Sequence, residues 1–166
     1  TVDNVYRAIA EMETDYKIKP SLVVFDYVQL IPIDSKAERT QQVTEAIVRS
    51  KELASYIAAP IVVCVQASRG VDKYDVKLPT ASDCQHASAI EQTADKLISV
   101  WRPSLTETNA ERVTINGKEI KITPELMIAK LIKQRMEKAG QVFPLSFAPQ
   151  YVRLADLELQ YANLNP

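Results

Sequence analysis

Glycine, cysteine and histidine are scarce in this sequence, and each shortage removes a class of chemistry. Three glycines stand in 166 residues, at Gly70, Gly117 and Gly140. A loop that cradles phosphates reads G-x-x-x-x-G-K followed by Ser or Thr. Here Gly117-Lys118 is followed by Glu119, and Arg112 occupies the place of the earlier glycine, so residues 1–166 contain no such loop. The two cysteines, Cys64 and Cys84, have no C-x-x-C spacing, and His86 is the only histidine. Neither a disulfide framework nor a zinc site is implied. Cys64, inside "IVVCV", reads as a small core residue.

Long apolar runs are also missing. None approaches the ~18 residues of a membrane span, and no basic segment followed by a hydrophobic one opens the chain. A cytoplasmic protein without a membrane partner is expected. Neither sign of charge dominates: 20 basic residues against 21 acidic leave a net charge of −1. That argues against a broadly basic nucleic-acid surface and leaves room for a narrow one on loops. What is present, 46% hydrophobic and 25% charged residues, is the composition of an ordinary globular chain. Its length suits a single domain, 1–166, better than two. The chain opens at Thr1 directly into a helical pattern of Val2, Val5, Ile9 and Met12, which reads as a piece of something longer.

The patterning alternates strand and helix. "LVVF" at 22–25 is a short apolar strand. A helix is expected over about 40–59, where Val43, Ala46, Ile47, Leu53, Ala54 and Ile57 recur at helical spacing before Pro60 stops it. "IVVCV" at 61–65 reads as a fully buried strand. Strand, crossover helix and strand make a βαβ unit, which implies a parallel sheet. Residues 66–85 form a long polar connection, and such lengths usually carry function. A short helix near 87–94 and a strand near 96–101 follow. Asn116-Gly117 between alternating residues predicts a hairpin. Further strands are expected near 126–134, 141–147 and 151–154, with the tail from 155 to 166 a helical turn or an irregular end.

Ligands of open parallel sheets sit beyond the carboxyl ends of the strands. Two polar residues occupy that place, Asp26 after "LVVF" and Gln66 after "IVVCV". A carboxylate fixed by a dry strand suits Mg²⁺ in a nucleotide hydrolase, and Gln66 is placed to hydrogen-bond a terminal phosphate. Spacing alone leaves a second reading open, in which Asp26 caps a turn and Gln66 begins a loop.

Four segments, in order, resemble the DnaB-type replicative helicases. "LVVFDYVQLI" is similar to that family's Walker B strand, D-Y-L-Q-L after a hydrophobic run. "VVCVQASRGVD" is similar to its Q-L-S-R-G-V-E segment, and "LPTASDCQHASAIEQTADKLISVWRP" to its S-D-L-R-E-S-G-A-I-E-Q-D-A-D segment. "IAKLIKQRMEKAGQVFPLSF" is similar to its K-Q-R-N-G-P-T-G ending. The resemblance spans about residues 20–150, and four ordered motifs are far more specific than one.

It implies a RecA-like P-loop NTPase core, an α/β fold with a mostly parallel sheet flanked by helices and a C-terminal β-hairpin region, incomplete at its N-terminal side. A core lacking its loop-bearing central strand is expected to expose an unpaired edge or an apolar slot. The implied activity is that of an ATP-dependent DNA helicase motor using ATP and Mg²⁺. Asp26, beside Tyr27, becomes the carboxylate near the metal-bound nucleotide, and Gln66 the phosphate sensor. Lys133 and Arg135 become the basic pair that reaches a neighbouring subunit's nucleotide. Two positions apart on a strand, both face one way. The implied partners are single-stranded DNA, further copies in a hexameric ring, and a primase or helicase loader. Arg69, Lys73 and Lys77 become candidates for the DNA backbone, interleaved with Asp72, Tyr74 and Asp75.

Two departures stand out. The Walker loop and the glutamate that activates water would lie upstream of Thr1. Within the DNA-contacting stretch, "DCQHAS" keeps Asp83 but places Gln85 at the family's Arg, His86 at its Glu and Ser88 at its Gly. Losing a cation removes a phosphate partner. These changes point to the alternative function, a degenerate paralogue acting as a scaffold or DNA-associated regulator.

Overall fold

The computed structural model describes residues 1–32, 38–73, 76–84, 87–106 and 110–157. The chain forms two compact units, Thr1–Ser68 with Cys84–Ala94, and Arg69–Asp83 with Asp95–Pro166.

In the first unit, α1 (Val2–Glu11) starts at Thr1, whose hydroxyl accepts from the Asn4 N–H. A π-helical turn, Met12–Tyr16, ends it where Lys17 turns left-handed at φ 57°. Strand β1 (Val23–Phe25) leads to α2 (Arg39–Ile57), which buries Val43, Ala46, Ile47, Ser50, Leu53 and Ile57 on one stripe. Ala58 at φ 51° gives α2 a left-handed C-cap, and Pro60 forbids its continuation. Strand β2 (Ile61–Val63) then pairs with β1 in parallel, Val23 opposite Ile61 and Phe25 opposite Val63. Val2, Ile9, Leu53 and Ile57 form the core, with Val23, Phe25 and Ile61 packed against it. Arg49 of α2 holds both carboxylate oxygens of Asp3 at 2.8 Å and Glu45 at 2.8 Å. α3 (Ala87–Thr93) packs on α2.

The expectation of a fully buried second strand is corrected. Val24 and Val62, a cross-strand pair, are 55% and 49% exposed, while their neighbours face the core. Among the described residues helices cover one face of β1 and β2, so alternation decides burial residue by residue.

The second unit is antiparallel. β3 (Lys96–Trp101), β6 (Leu126–Gln134), β7 (Val142–Ala148) and β8 (Arg153–Asp156) form one sheet in the order β3-β6-β7-β8, and β4 (Arg112–Ile115) pairs with β5 (Lys118–Lys121). The parallel pairing implied for the sheet is thus confined to β1 and β2 among the described strands. Short connections such as those joining β4 to β5 and β6 to β7 permit only antiparallel neighbours. Trp101, Val113, Ile115, Leu126 and Ile128 form this unit's core. Trp101 satisfies its indole N–H on Thr106 Oγ1 at 3.0 Å. The last strand begins two residues later than expected. A 3-10 turn takes Pro149–Tyr151, and Val152 at φ 49° closes it before the chain extends.

Asn116 and Gly117 sit at φ 51° and 77°, the geometry of a two-residue hairpin whose twist matches its strands. A Cβ on Gly117 meets nothing within 4 Å. The cost of Gly117→Ala is therefore backbone alone, about 1–2 kcal/mol. Denaturant unfolding should show that loss for Gly117→Ala and a much smaller one for Gly117→Asn.

Candidate functional site

The first two candidates follow the carboxyl ends of the paired strands β1 and β2, Asp26 immediately and Gln66 three residues on. Phe25 and Val63 end their strands side by side, and the chains stay joined for one more step. Cys64 N–H donates to Phe25 O at 2.9 Å, and Val28 N–H to Cys64 O at 3.0 Å. Asp26 and Tyr27 lie inside that clasp, linked by a cis peptide bond, with Asp26 exposed and Tyr27 half-buried. Val28–Leu30 is a 3-10 turn whose N-cap is Tyr27, without a side-chain cap hydrogen bond. Asp26 is therefore not the N-cap of this turn.

Gln66 is exposed, three residues beyond β2. Its successor Ala67 forms an antiparallel bridge with Cys84. The neighbour of Gln66 is thus bridged to the residue that precedes Gln85 and His86 in the sequence. Gln85 and His86 themselves lie outside the described residues, as do Tyr74 and Asp75.

The remaining candidates belong to the second unit. Arg69 and Lys73 bound a 3-10 turn, Arg69–Lys73, and are exposed; Lys77 is half-buried. Sequence reading missed the brace beyond them. Asp83, 5% exposed, accepts from Thr80 N–H at 2.8 Å and Thr80 Oγ1 at 2.6 Å. The retained aspartate of "DCQHAS" thus shapes the turn Ala81–Asp83. An Asp three residues after a Thr was the available signal.

Lys133 is half-buried near the end of β6, opposite Leu97 of β3, and Arg135 is exposed just past the strand. Arg135 Nε lies 3.6 Å from Asp95 Oδ1. The structure places Asp26 with Gln66 in one unit and Lys133 with Arg135 in the other.

One open groove, of about 610 Å³, lies between α1 and α2 and is lined by Asp3, Tyr6, Glu45, Val48, Arg49 and Glu52. Burial, and then the carboxylates of Glu52 and Asp3, raise the Tyr6 phenol above its usual pKa. Asp3 above all, with Glu45, holds the Arg49 guanidinium more firmly protonated than usual. None of the described sequence candidates lines this groove.

As a metal position, Asp26 offers one carboxylate. Among the described residues no group of three His, Cys, Asp or Glu side chains is arranged to hold an ion. A lone carboxylate fits Mg²⁺, which keeps most of its water and takes its other ligands from substrate phosphates. No described helix is long and apolar enough to cross a membrane.

The first unit is a crossover unit followed by a carboxylate, and the chain continues into antiparallel strands, an α/β arrangement. Two solved structures share it at a TM-score of 0.75 and 22% identity, each over 95% of this chain. One is a DnaB-like replicative helicase described with its interactions with primase, of which 36% is covered; the other is an ATPase domain, of which 51% is covered. The model of the DnaB-like helicase C terminal domain matches residues 1–156, and the chain belongs to that family. It is 31% identical over 142 residues to the replicative DNA helicase DnaC of Bacillus subtilis, and 32% identical over 142 residues to DnaB of Geobacillus stearothermophilus. Each match takes in 84% of this chain and 29% of the relative, so the chain spans less than a third of the curated relatives it matches.

Proposed function

We propose that this chain is part of one motor domain of a replicative DNA helicase, and that its parent hydrolyses ATP between subunits of a hexameric ring to move along single-stranded DNA. The arrangement at the carboxyl ends of β1 and β2 carries this reading, with family membership behind it. Asp26 orients the hydrated Mg²⁺ of a bound nucleotide. That ion, when bound, supplies positive charge against the charge that builds on the transferring phosphoryl group. Gln66 hydrogen-bonds the terminal phosphate, and the Ala67–Cys84 bridge carries its displacement toward residues 85–88. Lys133 and Arg135 reach the nucleotide held by the next subunit, where two cations stabilise the same developing charge. Arg69, Lys73 and Lys77 follow the DNA backbone as point charges, and Gln85 and His86 add polar contacts. The phosphate-cradling loop comes from parent sequence outside residues 1–166. A primase is the partner that the DnaB-like structural neighbour suggests.

The test is DNA-stimulated ATP hydrolysis and strand displacement by the full-length parent. Asp26→Asn keeps the shape and removes the charge that orients the ion. Turnover should fall by about 10²- to 10³-fold, the loss typical of one electrostatic stabiliser, while single-stranded DNA is still bound. A parent that binds no DNA or hydrolyses no ATP refutes the motor and favours the scaffold, and hydrolysis that ignores Asp26→Asn refutes the role given to Asp26.

A further inference from the structure

The end of β6 is not a plain strand end. Lys96 and Leu97 of β3 face Gln134 and Lys133, but Ile98 faces Leu131, so Ile132 is an extra residue on β6. Such a bulge shifts every later pairing by one and re-aims the side chains beyond it. Without it, Asp95 would stand opposite Gln134. With it, the continued register sets Asp95 opposite Arg135, two residues from the Leu97 and Lys133 pair and on the same side of the sheet. The two residues are joined twice: Arg135 N–H donates to Asp95 O at 3.0 Å, and Arg135 Nε approaches Asp95 Oδ1 at 3.6 Å.

Stability does not account for this pair. Its side chains are 52% and 54% exposed, and ion pairs in such settings add little. What a carboxylate on Nε does supply is orientation. An arginine has many rotamers to lose before its planar fork meets a phosphate squarely. A second anchor on the guanidinium makes that loss before the phosphate arrives.

We infer that Asp95 is a positioning residue for the Arg135 finger, fixing the plane and reach of its guanidinium for the terminal phosphate of the neighbouring subunit's nucleotide. This rests on the interfacial reading of Arg135 given above. The bulge at Ile132 is the local feature that makes the pairing possible.

The experiment uses the assembled full-length parent and measures DNA-stimulated ATP hydrolysis. Asp95→Ala should lower kcat by about 10- to 100-fold, the cost of an ångström-scale misplacement, with KM for ATP and the thermal midpoint unchanged. Asp95→Glu, which keeps the carboxylate, should recover part of the loss. Added to Arg135→Ala, Asp95→Ala should cost nothing further. An equal loss with and without Arg135 overturns the inference, because Asp95 then acts on something else. So does a strong Arg135→Ala defect beside a normal Asp95→Ala enzyme. A normal Arg135→Ala enzyme overturns the finger itself, which separates the two failures. Should Asp95→Ala not fold, Asp95→Asn, equal in size, carries the same comparison.

Discussion

Arg135→Ala should reduce DNA-stimulated ATP turnover of the assembled parent by about 10³-fold or more, the range in which arginine fingers act in phosphoryl transfer. Nucleotide binding should change little, because the guanidinium is required where charge develops rather than where the substrate first settles. The sharper form of the experiment mixes subunits. Arg135→Ala and Asp26→Asn subunits are each inactive as pure assemblies. If Arg135 acts on a neighbour, a mixed ring contains interfaces that join an intact Asp26 to an intact Arg135, and hydrolysis returns. If Arg135 served its own subunit's nucleotide, no subunit in the mixture would hold both groups and no activity would return. The design isolates the direction of action from the size of the effect. Lys133, on the same side of β6, should complement in the same way with a smaller loss, since an ammonium is a point charge without the bidentate fork.

Much of this architecture was legible from periodicity. The strands at 96–101 and 126–134 coincide with β3 and β6, because apolar residues at alternate positions commit a strand to one face. Asn116-Gly117 announced its hairpin because few other residues tolerate two successive positive φ angles. Periodicity says nothing about what covers the second face of a strand. An unbroken apolar run such as "IVVCV" therefore looked buried on both sides, while Val62 is half exposed. Nor does it reveal a bulge. Leu131, Ile132 and Lys133 read as ordinary strand residues, and only the pairing with β3 exposes the extra one. The same limit hid Asp95. It sits in the "TAD" of a recognised motif, yet its partner lies forty residues away and is fixed by register. The place of Asp26 just past β1 was readable for the opposite reason, since a carboxylate that ends an apolar strand is local information.

Ile128→Ala should destabilise the chain by about 2–5 kcal/mol, the usual cost of truncating a fully enclosed aliphatic side chain. Ile128 is 0% exposed in the middle of β6, opposite Trp101 and in a core with Val113, Ile115 and Leu126. Its removal leaves a void that the surrounding strands, bonded on both edges of β6, are poorly able to close. The control lies on the other face of the same sheet. Val100 pairs with Ala129 one step along and is 59% exposed, so Val100→Ala removes fewer buried atoms and opens no enclosed cavity. Its cost should stay below about 1 kcal/mol, the scale on which a strand's intrinsic preference operates. Equilibrium denaturation of the two variants compares these costs directly. Nearly equal losses would mean that Val100 is covered as well as Ile128 in solution. A large difference, with Ile128→Ala several-fold worse, would confirm that the sheet's stability is concentrated on its Trp101 face.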